Sequence, residues 1–312
     1  MVECFSYSLF HNLSVEAMDM RKPLPLELLE SRCLLSAVGF VQQEGPVNGN
    51  ATIARLADLD GDADLDAVTF DADGWYWFEN TSGKFSQTPS HTAKDAEVCC
   101  TIQVADLDAD SDIDLVFGGL ERTFWQENVN GTGSFGDTQD LATFGDLVLA
   151  DFDVDGEVDI VSSSNFGRDL VVQLNSNGEF AETVRIDRNG PALPQLATAD
   201  FNQDDYLDLL YVATGLPFEG IPSILRWYPG LADGAFGEPV AIGVSDSRED
   251  VSHLQWVTAI VSADVDGDLD QDVVIGSSHG MGWYENLNGE GNFGAYRQFS
   301  DCLLYTSDAA DE

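Results

Sequence analysis

One nonapeptide of alternating acids recurs five times in this chain of 312 residues. The copies, called loops 1 to 5 below, read DLDGDADLD, DLDADSDID, DFDVDGEVD, DFNQDDYLD and DVDGDLDQD, and span Asp58–Asp66, Asp106–Asp114, Asp151–Asp159, Asp200–Asp208 and Asp264–Asp272. Their starts lie 48, 45, 49 and 64 residues apart. A near-constant period of this length indicates a repeat architecture in which each copy marks one structural unit.

The residues around each loop read as short strands. A β-rich segment precedes every loop, an apolar run follows it, and a second β-rich segment then leads into a glycine-rich turn, a phenylalanine and one more short strand. The apolar runs are Ala67–Phe70, Leu115–Phe117, Ile160–Val161, Leu209–Val212 and Val273–Ile275, and the phenylalanines are Phe85, Phe135, Phe180, Phe236 and Phe293. Four short strands per ~45–50 residues are typical of propeller blades, whereas helical repeats need a 3.6-residue apolar period. We therefore predict an all-β fold, a β-propeller of four-stranded antiparallel blades.

The loops carry oxygen ligands at alternating positions, which suits a hard cation such as calcium. We expect the side chains at positions 1, 3, 5 and 9 and the backbone carbonyl at position 7 to bind one Ca²⁺ per repeat, up to five ions. The candidate ligands are Asp58, Asp60, Asp62, Asp64 and Asp66; Asp106, Asp108, Asp110, Asp112 and Asp114; Asp151, Asp153, Asp155, Glu157 and Asp159; Asp200, Asn202, Asp204, Tyr206 and Asp208; and Asp264, Asp266, Asp268, Asp270 and Asp272.

A helix-loop-helix calcium sensor begins with similar spacing but needs a bidentate acid at position 12. Position 12 holds Thr69, Phe117, Ser162, Tyr211 and Ile275. None is acidic and each lies in a strand-like run, so an EF-hand is excluded.

This combination resembles the FG-GAP and VCBS repeat families, as in the integrin alpha-subunit propeller, over about residues 45–301. The resemblance implies calcium loops between the first two strands of each blade. Position 6 is usually glycine in those families, but here it is Ala63, Ser111, Gly156, Asp205 and Leu269. A side chain in a left-handed turn costs about 1 kcal/mol or more, so we expect loop 5, with Leu269, to depart furthest from the family pattern.

The charge balance restricts the partners. The chain has 13 basic and 56 acidic residues, a formal charge of −43, which repels nucleic acid phosphates and anionic lipid headgroups. No apolar run reaches the ~20 residues of a membrane-spanning helix. We therefore expect neither nucleic acid binding nor membrane insertion.

Candidate catalytic residues do not emerge from the sequence. Its four histidines are scattered without metal or catalytic spacing, and Glu79, Glu127 and Glu285 recur at one place in the repeat, which favours a structural role over an acid–base pair. Five tryptophans can stack on sugars or pack between blades, and core packing is favoured. They are Trp75, Trp77, Trp125, Trp227 and Trp283.

The two ends read differently from the repeats. Pro23–Ala37 resembles the LEPR-XLL motif of large bacterial surface proteins, so residues 1–37 are assigned to a leader or sorting segment, with an amphipathic helix as the alternative. Residues 38–301 form the predicted propeller, and Cys302–Glu312 resembles a translated sequencing adapter. We therefore expect the natural protein to continue and the five repeats to belong to a seven-bladed propeller. The five cysteines do not indicate a redox compartment.

The leading hypothesis is a non-enzymatic, calcium-binding module of a secreted or cell-surface protein, acting in adhesion or in recognition of an extracellular protein or carbohydrate ligand. One alternative is a calcium-dependent polysaccharide-active enzyme, similar to a lyase, that uses one propeller rim. Another is a structural spacer of a larger surface protein. The fold alone does not choose among them, because propellers host many functions.

Overall fold

The computed structural model of the chain describes residues 53–299, apart from 72–73, 94–100, 120–121, 142–143, 165–168, 182, 189–193, 214–222, 243–253, 255–256 and 279. The predicted leader, the tail after residue 301 and all five cysteines lie outside the described residues. The described part of the chain contains no helix with the length and hydrophobicity of a membrane span.

Five antiparallel sheets of four strands build a five-bladed β-propeller, which confirms the predicted all-β fold. The first strand of each blade is β1 (Ile53–Ala57), β5 (Thr101–Ala105), β9 (Phe144–Ala150), β15 (Gln195–Ala199) or β19 (Val257–Ala263). The second is β2 (Asp66–Asp71), β6 (Asp114–Gly118), β10 (Asp159–Ser164), β16 (Asp208–Ala213) or β20 (Asp272–Ser277). The expectation of a seven-bladed parent concerns residues beyond this sequence and stays a prediction.

The third and fourth strands complete each sheet in chain order. The third is β3 (Gly74–Phe78), β7 (Thr123–Gln126), β11 (Asp169–Gln173), β17 (Ile224–Tyr228) or β21 (Gly280–Tyr284). The fourth is β4 (His91–Ala93), β8 (Gln139–Leu141), β14 (Val184–Asp187), β18 (Val240–Ala241) or β22 (Arg297–Gln298). The predicted phenylalanines close the turn between these two strands, where Asn80 bridges Phe85 in blade 1, and in blade 3 the same turn is the short pair β12 (Asn175–Ser176) and β13 (Glu179–Phe180).

The hydrophobic core lies between neighbouring blades rather than inside one. One cluster joins Trp75 and Trp77 of blade 1 to Phe117 and Phe124 of blade 2, and three similar clusters join blades 2 and 3, 3 and 4, and 4 and 5. The five tryptophans named above are each 8% exposed or less, and four of them lie in these clusters between blades, whereas Trp283 of blade 5 packs against Arg297 of its own blade. Because the first strands of successive blades also contact each other, every loop is held in a fixed position at the end of a first strand.

Candidate metal centres

Each loop connects the first and second strands of a blade. In blade 1 Ala57 pairs with Asp66, so the intervening residues must turn sharply and return. Positions 4 and 6 adopt positive φ in all five loops, including Val154 (62°) at position 4 and Leu269 (78°) at position 6. The left-handed turn expected from the family pattern is therefore present even where glycine is not.

The carboxylates at positions 1 and 5 accept hydrogen bonds from backbone N–H groups of their own loop. Asp58 accepts hydrogen bonds from the backbone N–H groups of Gly61 (2.8 Å) and Ala63 (2.9 Å), and Asp62 accepts one from that of Asp64 (2.8 Å). The other loops repeat both interactions, as Gly156 donates to Asp151 and Glu157 to Asp155, each at 2.9 Å. These bonds turn the side chains of alternate positions toward one point.

The aspartate at position 9 is buried and accepts two backbone hydrogen bonds. Asp114 is fully buried, and its two oxygens accept from the backbone N–H groups of Leu107 (2.9 Å) and Asn128 (2.8 Å). The same two bonds occur in every blade, at Asp66, Asp114, Asp159, Asp208 and Asp272. Position 9 therefore has a structural role that the sequence did not reveal, besides its predicted role as a ligand.

Acidic oxygens converge in four of the five loops. Three acids place one oxygen each within 4.8 Å of one another, and these groups are Asp58, Asp60 and Asp62; Asp106, Asp108 and Asp114; Asp151, Asp153 and Asp159; and Asp264, Asp266 and Asp272. Among the described residues, loop 4 forms no such group, because Asn202 stands at position 3 and its amide donates to Asp204 at 2.9 Å. Several loops can therefore hold a metal ion.

Burial raises the pKa of the aspartates at position 9 of the loops. Burial raises the pKa of Asp114 to about 7 and that of Asp159 to about 6, from 3.8, although two backbone N–H groups oppose the shift in each case. Burial likewise raises the pKa of Asp208 to about 7 and that of Asp272 to about 6, and the neighbouring loop carboxylates add to every one of these shifts. Each loop thus concentrates negative charge away from water, where a bound cation would stabilise it.

Unpaired oxygens show where a cation fits. The buried Oδ1 atoms of Asp60, Asp106, Asp108 and Asp270 have no hydrogen-bond donor among the described residues, and Asp270 is only 5% exposed. An unpaired buried carboxylate oxygen is costly unless a donor or a metal ion meets it. Hard cations with oxygen ligands and tolerant geometry, of which calcium is the example, match this donor set.

Sequence reasoning missed a further acid beside the loops. Glu127 directly follows β7 and brings an oxygen within 4.8 Å of those of Asp108 and Asp110. Glu79 and Glu285 occupy the same place in blades 1 and 5, where Glu285 also forms an ion pair with Arg297. Leu174 and Pro229 replace them in blades 3 and 4. Recurrence of glutamate just before the glycine-rich turn was the available signal, and by itself it favoured a structural role.

Position 7 connects loops 1 and 3 to the turns of their own blades. The side chain of Asp64 accepts a hydrogen bond from the backbone N–H of Ser82 (2.5 Å), and that of Glu157 accepts one from Asn177. In these two loops the side chain at position 7 therefore has a hydrogen-bonding role. The prediction that the backbone carbonyl at this position binds the ion stays a prediction.

An asparagine side chain links successive loops. Asn128, which is fully buried, donates through Nδ2 to the carbonyl of Leu59 in loop 1 (2.8 Å), while its backbone N–H donates to Asp114 in loop 2. Asn175 and Asn286 make equivalent bonds to Leu107 (2.7 Å) and Phe201 (2.8 Å). In blade 4 the place of the asparagine is taken by Gly230. A Cβ at this residue would lie 2.3 Å from the carbonyl oxygen of Leu207, so a larger residue would clash. The loops therefore belong to the contact between blades.

Several solved structures are similar to this chain. Among solved structures, a lectin of Agrocybe aegerita that recognises non-reducing terminal N-acetylglucosamine aligns with a TM-score of 0.55 and 19% identity, over 79% of this chain and 65% of the lectin. The Photorhabdus luminescens Tc holotoxin pore aligns with a TM-score of 0.45 and 18% identity, over 82% of this chain and 12% of that one. The biofilm matrix protein Bap1 of V. cholerae aligns with a TM-score of 0.35 and 16% identity, over 78% and 51%.

The chain thus spans less than two thirds of the length of the lectin, and that likeness shows the fold. Comparison with curated proteins gives no match. The FG-GAP-like repeat family matches residues 58–117 and 151–211, two stretches that each open on an aspartate loop. The chain therefore carries FG-GAP-like repeats at these two places, within the fold of a five-bladed β-propeller.

Proposed function

We propose that this chain is a calcium-binding propeller module of a secreted or cell-surface protein that acts in adhesion or in recognition of a protein or glycan ligand. The observation that carries the proposal is the convergence of buried, partly unpaired carboxylate oxygens in loop after loop. Calcium takes six to eight oxygens at about 2.3–2.6 Å and tolerates irregular geometry. Positions 1, 3, 5 and 9 would supply carboxylates, and position 7 its carbonyl.

Bound calcium would stabilise the fold directly. Five ions would bring ten positive charges to a chain with a formal charge of −43, at the places where carboxylates are most crowded. Metal binding to the folded chain is then part of its folding free energy. Extracellular calcium modules operate with dissociation constants of about 10⁻⁴–10⁻³ M, so even weak loops would be filled outside the cell.

Rigid loops would in turn support recognition. Loops 1 and 3 contact the turn of their own blade through position 7, and loops 1, 2 and 4 contact the next blade through the asparagine bond. An ion that orders such a loop would also order its neighbours at that end of the propeller. Binding surfaces are often loops held by a rigid scaffold. Likeness to a lectin fits this proposal without deciding the ligand.

Calorimetric titration of the calcium-free full chain with Ca²⁺, and separately with Mg²⁺, tests the metal. We expect four or five calcium ions and weaker magnesium binding, because Mg²⁺ demands near-octahedral geometry at about 2.0–2.1 Å. Asp153→Asn copies Asn202 of loop 4 and should weaken one site, whereas Asp137→Asn, on the surface outside the loops, should leave every site intact. Absence of calcium binding, or equal effects of the two variants, would contradict the proposal.

A further inference from the structure

The contact between blades 1 and 2 is filled by one indole ring. Trp75 packs edge-on against Phe135, with ring centroids 5.1 Å apart, and its Nε1 donates to Oε1 of Gln126 at 3.1 Å. Gln126 is 6% exposed, and its Nε2 donates to the carbonyl of Gly136 at 3.0 Å. Every polar atom of this buried glutamine side chain is therefore satisfied.

The corresponding place between blades 2 and 3 lacks that ring. In the third strand Thr123 takes the register position of Trp75, two residues before Trp125, as Trp75 lies two residues before Trp77. Gln173 and Phe180 of blade 3 correspond to Gln126 and Phe135 of blade 2. The side chains that would surround an indole are present, but a threonine replaces the indole.

A cavity of about 590 Å³ opens beside Gln173 and Phe180, and it reaches Leu141, the strand partner of Thr123. Its inner wall consists of Trp125, Leu141, Gln173, Gly178 and Phe180. Gln139, Asp140, Ala181 and Thr183 form its exposed rim. A concave site of a few hundred Å³ with aromatic walls and a few placed polar groups is the usual form of a small-molecule site.

One buried polar atom in the wall has no partner. Gln173 is 4% exposed, and its Nε2 donates to the carbonyl of Ala181 at 3.5 Å, but its Oε1 meets no donor among the described residues. Its counterpart Gln126 receives the indole N–H at this atom. Because an unsatisfied buried acceptor costs about 1–3 kcal/mol, an O–H or N–H donor entering the cavity would be favoured.

We infer that the cavity between blades 2 and 3 binds one ring of a neutral glycan. A pyranose has an apolar face for Trp125 and Phe180, a hydroxyl or acetamido donor for Gln173, and further hydroxyls for the polar rim. Asp140 of the rim is paired with Arg122, and the strongly acidic chain disfavours an anionic sugar. The inference rests on the proposed role in ligand recognition and adds the site and the ligand class.

Filling the cavity from within the chain tests the site. The full chain in saturating calcium is examined by saturation-transfer NMR with the methyl glycosides of glucose, galactose and N-acetylglucosamine, and with N-acetyltryptophanamide. Wild type should bind at least one glycoside, and Thr123→Trp, which copies Trp75, should weaken that binding at least tenfold. Gln173→Met, which keeps the length but removes the acceptor, should weaken it as well, and Gln126→Met in the filled contact should leave it unchanged.

Several outcomes would overturn the inference. These are binding of none of the glycosides, equal glycoside binding by wild type and Thr123→Trp, and selective binding of N-acetyltryptophanamide, which would assign the cavity to a tryptophan side chain of a protein partner. Calcium titration of the same samples distinguishes failure of the glycan site from failure of the proposed calcium-binding function. If calcium-loaded wild type binds no glycoside, the cavity site alone is refuted, whereas absence of calcium binding refutes the proposed function.

Discussion

Single residues in the loops hold backbone conformations that they do not favour. Val154 and Leu269 have φ of 62° and 78°, and both side chains are exposed, by 60% and 84%. A left-handed β-branched residue is rare because its Cβ crowds the backbone. Neither side chain offsets this strain by burial, so both positions are maintained against a local cost.

Replacing Val154 with glycine should therefore stabilise the chain. The relief of left-handed strain, about 1–2 kcal/mol, exceeds the added backbone entropy of glycine, about 0.5–1 kcal/mol. Urea unfolding in calcium should show a gain of up to about 1 kcal/mol. The control is Val184→Gly, an equally exposed valine in strand β14, which should lose stability instead. A loss at both positions would show that the turn is unstrained.

The charge of Glu127 should matter to calcium in loop 2. Its oxygen lies beside those of Asp108 and Asp110, and affinity in oxygen-ligand sites follows the number of charged ligands. We expect Glu127→Gln to weaken one calcium site about tenfold in a calorimetric titration. Glu179→Gln removes the same charge from an exposed position in β13 and should leave the titration unchanged. Indistinguishable titrations would remove Glu127 from the site.

At the scale of the element, the asparagine bonds connect one loop to the next. Asn128 is fully buried, donates to Leu59 and Ile113 (3.3 Å), and accepts from the backbone N–H of Gly133 (3.1 Å). Its side chain thus joins two blades at the level of the metal loops. The bond does not need a metal ion, because all its partners belong to the chain.

Asn128→Ala should consequently destabilise the propeller with or without calcium. Loss of these bonds leaves buried carbonyl and N–H groups unpaired, at a cost of about 2–3 kcal/mol in the free energy of unfolding. Asn292→Ala is the matched control, since Asn292 is exposed and its side chain donates within its own turn, to Asn288. A calcium-dependent loss at Asn128 would instead mean that the asparagine acts through the ion.

The sequence predicts the blades and the turns of the loops, but not the contacts between blades. The period of the loops, the apolar runs and the phenylalanines predict the four-stranded blades. The glycine of the family pattern predicts the left-handed turn. The bonds of Asn128 and the cavity beside Thr123 depend on which side chains meet across two blades. Aligning the repeats on the shared tryptophan places Thr123 opposite Trp75, but a strand pattern within one repeat does not show which side chains of the neighbouring blade the missing indole would meet.

At the scale of the whole molecule, the shifted acids make stability depend on pH. The pKa values of Asp114 and Asp208, about 7, and of Asp159 and Asp272, about 6, lie above the unfolded value of 3.8. The folded chain therefore binds more protons than the unfolded chain between about pH 4 and 7. Without metal, its stability must fall as the pH rises through that range.

Thermal unfolding in chelator should accordingly give a higher Tm at pH 5.5 than at pH 7.5. High salt in both samples screens repulsion between exposed acids, so that the difference reports the buried ones. In saturating calcium the stabilisation by the metal should grow with pH instead, because protons compete with the ion for the same carboxylates. A metal-free Tm that rises with pH would contradict the burial of these aspartates.

The most direct measurement is the thermal unfolding of the full chain at pH 7.5 in millimolar calcium and in chelator. At dissociation constants near 10⁻⁴ M, millimolar calcium stabilises each filled site by about 1–1.5 kcal/mol, so four or five sites together predict a rise in Tm of at least about 10 °C. Equal Tm values in calcium and in chelator would contradict it, since the aspartate loops would then be acidic turns on the surface and not metal sites.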